Sequence, residues 1–164
     1  MAETTPDTAK DVTGGCLCGA VRYRARTESD EAYYCHCRMC QLAFGNTRVA
    51  WFNVPQAALT WEGEPTFYAS SKFARRGFCG TCGTPLSFAY VDSKRIDVSV
   101  GSLDDPSVLH PVSHFAVESR IAAWHAEDGL PGDRLDTSEK LNARWKASYG
   151  DDVAPGVDAV RKKA

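Results

Sequence analysis

Cys35-His36-Cys37-Arg38-Met39-Cys40 sets three thiols within six residues. Cysteines this close in a chain without a secretory pattern read as metal ligands before they read as disulfides. Zinc favours thiolates in tetrahedral geometry, and three protein ligands leave the fourth position for water or substrate, the general pattern of a catalytic metal. A closed version of the same site would recruit a distant histidine from His36, His110, His114 and His125, the four in the chain. His36 lies between two ligands and is expected to point away from the ion they share. A further reading is that Cys35, Cys37 and Cys40 are reactive or disulfide-linked.

Working outward, Cys79-Gly80-Thr81-Cys82-Gly83 has the two-residue spacing of a zinc knuckle, and Cys16-Leu17-Cys18-Gly19 supplies a second pair. Its one-residue gap is shorter than the commonest zinc spacing. Together the two pairs could complete a closed, structural four-cysteine site that ties the first hairpin to the middle of the chain. The seven cysteines all fall in these groups, and an odd number cannot pair off completely. Two Zn²⁺ ions per chain are therefore expected. An ion held by three thiolates is net anionic and a poorer Lewis acid than one held by histidines. It suits holding an incoming thiolate or polarising a small carbonyl better than generating hydroxide.

Charge excludes other classes. The formal net charge is -2, and bound thiolate sites would make it more negative, so no basic excess draws nucleic acid. The basic residues at 160–163 read as a solubilising tail. Apolar runs such as Val49-Ala50-Trp51-Phe52 are far too short to span a bilayer. Residues 1–13 lack a charged-then-apolar pattern, which argues against a secretory signal and for a cytoplasmic location.

The remaining pattern is mainly β. Half-buried alternation or β-rich runs predict strands at 20–25, 32–35, 48–54, 59–61, 66–68, 76–78, 85–90, 95–100 and 114–118, separated by turn signals such as Glu62-Gly63-Glu64-Pro65. A short helix is expected over 38–44, ended by Gly45, and a helical turn over 104–108. A second helix over 138–148 carries Leu141 and Trp145 at i and i+4. Residues 1–12 read as a flexible leader, 13–132 as a zinc-binding domain, and 133–164 as a helix and tail packed on or trailing from it.

The order Gly14-Gly15-Cys16-x-Cys18-Gly19-Ala20-Val21, Cys35-x-Cys37-x-x-Cys40, Phe78-Cys79-x-x-Cys82-Gly83 resembles the glutathione-dependent formaldehyde-activating enzymes, a group that includes the centromere protein V-type domain. Residues 98–104 and 128–131 extend the likeness. The resemblance implies a β-tent fold of several small antiparallel sheets with short helices. It implies a structural zinc on Cys16, Cys18, Cys79 and Cys82, and a catalytic zinc on Cys35, Cys37 and Cys40. It also implies a carbon–sulfur lyase that adds glutathione to formaldehyde to give S-hydroxymethylglutathione. The expected partners are then a small-molecule thiol and an aldehyde.

Arg38, Arg48, Lys72, Arg75 and Arg76 are candidate cations for a thiol's carboxylates, though surface charge is the commoner role. His114 and His125 are the candidate proton carriers, with Glu118 of similar standing. Trp51, Phe52, Phe67, Phe78 and Phe88 are expected in the core. Two other readings keep the fold: the same site acting on a different thiol adduct, and a zinc-stabilised protein-binding module without catalysis.

Overall fold

Alternation of buried and exposed side chains governs this chain from its first strand. A computed structural model describes residues 8–151 and residue 156. In β1 (Asp11–Gly15) Val12 and Gly14 face inward, and in β2 (Arg22–Arg26) Tyr23 and Ala25 do the same. These strands pair antiparallel, and β5 (Leu59–Glu62) adds to the far side of β2, making a three-stranded sheet. Gly14 is required by close approach. A Cβ there would strike the Ser102 carbonyl and the Tyr23 ring, which a residue larger than glycine cannot avoid.

The larger sheet runs β11-β10-β3-β4-β9-β8-β7-β6. Its strands are β3 (Glu31–Cys35), β4 (Val49–Pro55), β6 (Thr66–Ser71), β7 (Ala74–Phe78), β8 (Pro85–Tyr90), β9 (Arg95–Ser99), β10 (His110–Phe115) and β11 (Gly132–Asp133). The main core lies between the two sheets. Val12, Tyr23 and Ala25 pack there against Phe52, Val54, Ile96 and Val98. Tyr23 is buried and its hydroxyl hydrogen-bonds Ser102 Oγ at 2.8 Å, so its polar end is satisfied.

The mainly β architecture with two helices is as expected, and three details differ. β1 starts at Asp11, inside the stretch read as leader, because Val12 completes the inter-sheet core opposite Ala25. The strand expected at 114–118 begins instead at His110 and stops at Phe115. Ala116 then takes a left-handed φ of 59° and opens the 3₁₀ turn Val117–Ser119. And β10 runs parallel to β3, with β11 parallel to β10, so one end of the sheet is mixed rather than antiparallel.

Helix α1 (Arg38–Phe44) follows β3 directly, with Gly45 in the left-handed conformation at its C-terminus, as expected. Helix α2 (Glu139–Tyr149) lays Trp145 edge-on to Phe73 with ring centroids 5.2 Å apart. That contact places the C-terminal helix against the sheet beside β7. The basic run at 160–163 lies outside the described residues.

Candidate metal centres and adjoining cavities

Each cysteine group of the sequence converges on one point. The Sγ atoms of Cys16, Cys18, Cys79 and Cys82 lie within 4.8 Å of one another, as do those of Cys35, Cys37 and Cys40. All seven are free thiols. The Sγ···Sγ separations are 3.6 Å for Cys16–Cys18, 3.8 Å for Cys18–Cys79 and 3.5 Å for Cys35–Cys37. A tetrahedral cation with metal–sulfur bonds of about 2.3 Å needs sulfur–sulfur edges of about 3.8 Å. The donor type and the spacing therefore fit a tetrahedral, thiophilic cation in both groups.

Local backbone builds the first group. Gly83 adopts φ 77° and donates its N–H to the Cys79 carbonyl at 2.8 Å, closing the knuckle. Gly19 makes the matching turn at φ 80°, donating to the Cys16 carbonyl at 3.1 Å. Val21 N–H donates to Cys16 Sγ at 3.2 Å, which stabilises negative charge on that sulfur. The Thr84 hydroxyl and N–H hold Cys82 down to about 5. The group is sealed on its inner side by Val21 and Leu86.

The second group sits where β3 ends and α1 begins. Cys35 closes the strand and is buried. Cys37 caps the helix, its Sγ accepting from the Cys40 N–H at 3.4 Å. The Gln41 amide fixes the turn by donating to the carbonyls of His36 at 2.8 Å and Ser119 at 3.0 Å. Hydrogen bonds from Cys35 and Cys37 hold Cys40 well below the usual thiol range, and the Arg76 guanidinium adds to this. Cys35 is pushed up by sharing hydrogen bonds with Cys37 and Cys40. Three crowded thiols thus favour one ionised member unless a cation neutralises the others, which is what a metal ion does.

No histidine joins either group among the described residues. The His36 ring turns away from the cysteines, its Nε2 lying 2.8 Å from His114 Nδ1. Nε2 of fully buried His114 lies 2.9 Å from Asp128. His125 stacks edge-on against both rings, with centroids 5.7 and 5.5 Å away. His110 stands apart at the surface near Asp30. Glu118 accepts from the Leu135 N–H, so it serves the backbone rather than a cavity.

The three-cysteine group forms one wall of a cavity of about 350 Å³. Its other walls mix aromatic side chains, among them Tyr33, Trp51, Phe88, Tyr90 and Trp145, with polar ones, and His114 is part of the lining. A second cavity of about 430 Å³ shares Met39, Ser70 and Arg76 with the first. Trp51 is buried as expected, in a core cluster with Cys35, Cys40 and Val49 that backs this space; Phe88 is only partly buried and lines it, Phe78 faces the second cavity, and Phe67 is exposed. Phe52 lies in the inter-sheet core, also as expected. Of the five candidate cations, Arg76 alone lines either of these two cavities. Arg48 lies over the Tyr34 ring, Arg75 over Phe67, Lys72 donates to the Ser148 carbonyl and Arg38 to Gln41.

Asp97 also lines the first cavity, and sequence reasoning missed it. It accepts from Asn53 Nδ2 at 2.8 Å. Burial pushes it up to about 6 against the lowering effect of hydrogen bonds from Asn53 and Tyr33. The folded chain therefore binds this proton more tightly than the unfolded chain, whose aspartate titrates near 3.9. The stability this group contributes is full below that lower value and falls as pH rises through the higher one. Urea unfolding across this window should show the wild type losing about 3 kcal/mol relative to Asp97→Asn. Parallel curves for the two proteins would refute the assignment.

The fold and its two cysteine groups define a mainly β protein with two places that could each hold a metal ion. A model of the glutathione-dependent formaldehyde-activating enzyme family matches residues 11–119, and the chain belongs to that family. An uncharacterized lyase of Schizosaccharomyces pombe is 36% identical over 81 residues, covering 49% of this chain and 59% of that protein. The chain thus matches little more than half the length of that relative. The crystal structure of a Rhodobacter sphaeroides protein aligns with a TM-score of 0.48 at 19% identity, covering 73% of this chain and 98% of that one. Among the described residues no helix is long and apolar enough to cross a membrane.

Proposed function

We propose that the chain is a zinc-dependent carbon–sulfur lyase that joins a small thiol to a small aldehyde, as S-hydroxymethylglutathione is formed from glutathione and formaldehyde, and that it also runs the reverse cleavage. The observation that carries this reading is a group of three thiols, and no fourth ligand among the described residues, at the wall of a cavity with several aromatic side chains. Membership of the family and the lyase name of the yeast relative support it. In this reading Cys16, Cys18, Cys79 and Cys82 hold a structural zinc, and Cys35, Cys37 and Cys40 hold a second at the reaction site. Zinc there would supply a larger thiolate fraction or a polarised carbonyl when bound.

The chain's own residues do the rest. The aromatic walls exclude water and hold thiol and aldehyde within bonding distance, which replaces a bimolecular encounter by a positioned one. The thiol loses its proton, and its sulfur forms the C–S bond to the carbonyl carbon. The C=O π pair moves to oxygen, which takes up a proton to give the hydroxymethyl adduct. Asp97 on the cavity wall is suited to hold that proton between the two steps, since its carboxyl titrates close to neutrality. The Gln41 amide keeps the Cys35–Cys37 turn in place through both steps.

Exchange NMR of glutathione with formaldehyde tests the reaction. Catalytic amounts of the zinc-loaded chain should raise the exchange rate between free glutathione and its hydroxymethyl adduct well above background. An unchanged rate would remove this reaction and favour a metal-stabilised binding module.

A further inference from the structure

Arg76 stands on β7 between the two cavities and is about nine-tenths buried, at 9% exposure. Its Nη2 donates to Cys40 Sγ at 3.5 Å, and its guanidinium carbon lies 4.9 Å over the Phe88 ring. Its Nη1 is buried and has no hydrogen-bond partner among the described residues. A buried, charged donor left without a partner is unfavourable unless a ligand supplies the acceptor. Arg76 is also the sole lysine or arginine lining either cavity among the described residues.

We propose that Arg76 is the carboxylate anchor of this cavity pair, and that its ligand is a compact monocarboxylate with an apolar body: a mercapto acid or its aldehyde adduct, in preference to glutathione. This rests on the reading above that chemistry occurs at the three-cysteine group. Three observations fix the ligand class. The second cavity offers an apolar body a lining of Met39, Leu42, Phe44, Tyr68, Phe78 and Pro85, with no charged residue but Arg76. The first cavity already holds two carboxyls, Asp97 and Asp133, beside the cysteines, so a second substrate carboxylate there would find no lysine or arginine beyond Arg76. And the 3.5 Å contact between Nη2 and Cys40 sets the anchored carboxylate beside the three-cysteine group, within reach for the thiol of a compact acid. Glutathione carries two carboxylates, each several bonds from its thiol, and finds one cation here. A guanidinium suits the task because it stays charged and presents planar donors matched to a carboxylate.

Titration calorimetry of the zinc-loaded chain with 3-phenylpropionate and with 3-phenylpropionamide reads the anchor without any thiol or aldehyde. The acid should bind about tenfold or more tightly than the amide. Arg76→Met should erase that ratio while leaving the amide within about threefold of its wild-type affinity. Arg76→Lys, which keeps the charge over Phe88, should retain part of the preference. Equal binding of acid and amide to the wild type, or a preference that survives Arg76→Met, would overturn the proposal. A comparison needing no variant is also available: 2-mercapto-3-phenylpropionate should bind the wild type more tightly than glutathione, and the reverse order would overturn it. Because the first probe pair takes no part in the exchange reaction, acid preference without catalysis would sink the reaction and keep the anchor. Catalysis without acid preference would do the opposite.

Discussion

Cys82→Ser is expected to leave most of the chain unfolded at neutral pH. The four-cysteine group joins the turn after β1 to the knuckle after β7, two segments that the sheets do not otherwise pair. A structural zinc of this kind contributes on the order of 10 kcal/mol of metal-linked free energy. A domain of this size is stable by roughly 5–15 kcal/mol in all, so losing that contribution removes most of the margin. Cys82 is the informative position because it is only half-buried and its Sγ lies 3.2 Å from the Thr84 hydroxyl. A serine hydroxyl there keeps a hydrogen-bond partner and opens little cavity, so the loss reports the metal rather than the packing. Near-UV circular dichroism and a thermal melt read the outcome. A melting point within a few degrees of the wild type would remove the structural role of this group.

Cys37→Ser should do the opposite: keep the fold and abolish turnover. Cys37 caps α1, accepting from the Cys40 N–H, and serine is a favourable cap in that position. The helix start therefore survives the change. The three-thiolate group does not, since two sulfurs hold a metal far less tightly than three. Glutathione–formaldehyde exchange should fall by at least about 100-fold, a larger loss than the 10- to 100-fold typical when only a neighbour of a ligand is changed. The melting point should move by no more than a few degrees. If Cys37→Ser and Cys82→Ser unfolded the chain alike, the division into a structural and a reactive site would be wrong.

Both cysteine groups were legible in the sequence because short spacing is local information. Two or three cysteines within six residues can reach one ion whatever the rest of the chain does. Alternation made most strands legible for the same reason. The parallel pairing of β10 with β3 was not, since a parallel pair is joined by a long connection and leaves no turn signal between its strands. Asp97 was hidden by alternation itself. In Arg95-Ile96-Asp97-Val98 it reads as an outward polar position. It becomes interior because Trp145 of α2 and Tyr33 of β3, distant in sequence, help wall the same cavity. Arg76 stood among five candidate cations, and only the convergence of β7 on Cys40 separates it from the four that meet aromatic rings, an amide or a backbone carbonyl. The histidines were noticed singly. The contact of His36 with His114 arises from the β10–β3 pairing that the sequence pattern conceals.

Metal analysis of the purified chain tests the central claim most directly. Two zinc ions per chain are predicted for the wild type, falling to one in Cys37→Ser with the fold intact. A single zinc in the wild type, retained in full by Cys37→Ser, would contradict the account.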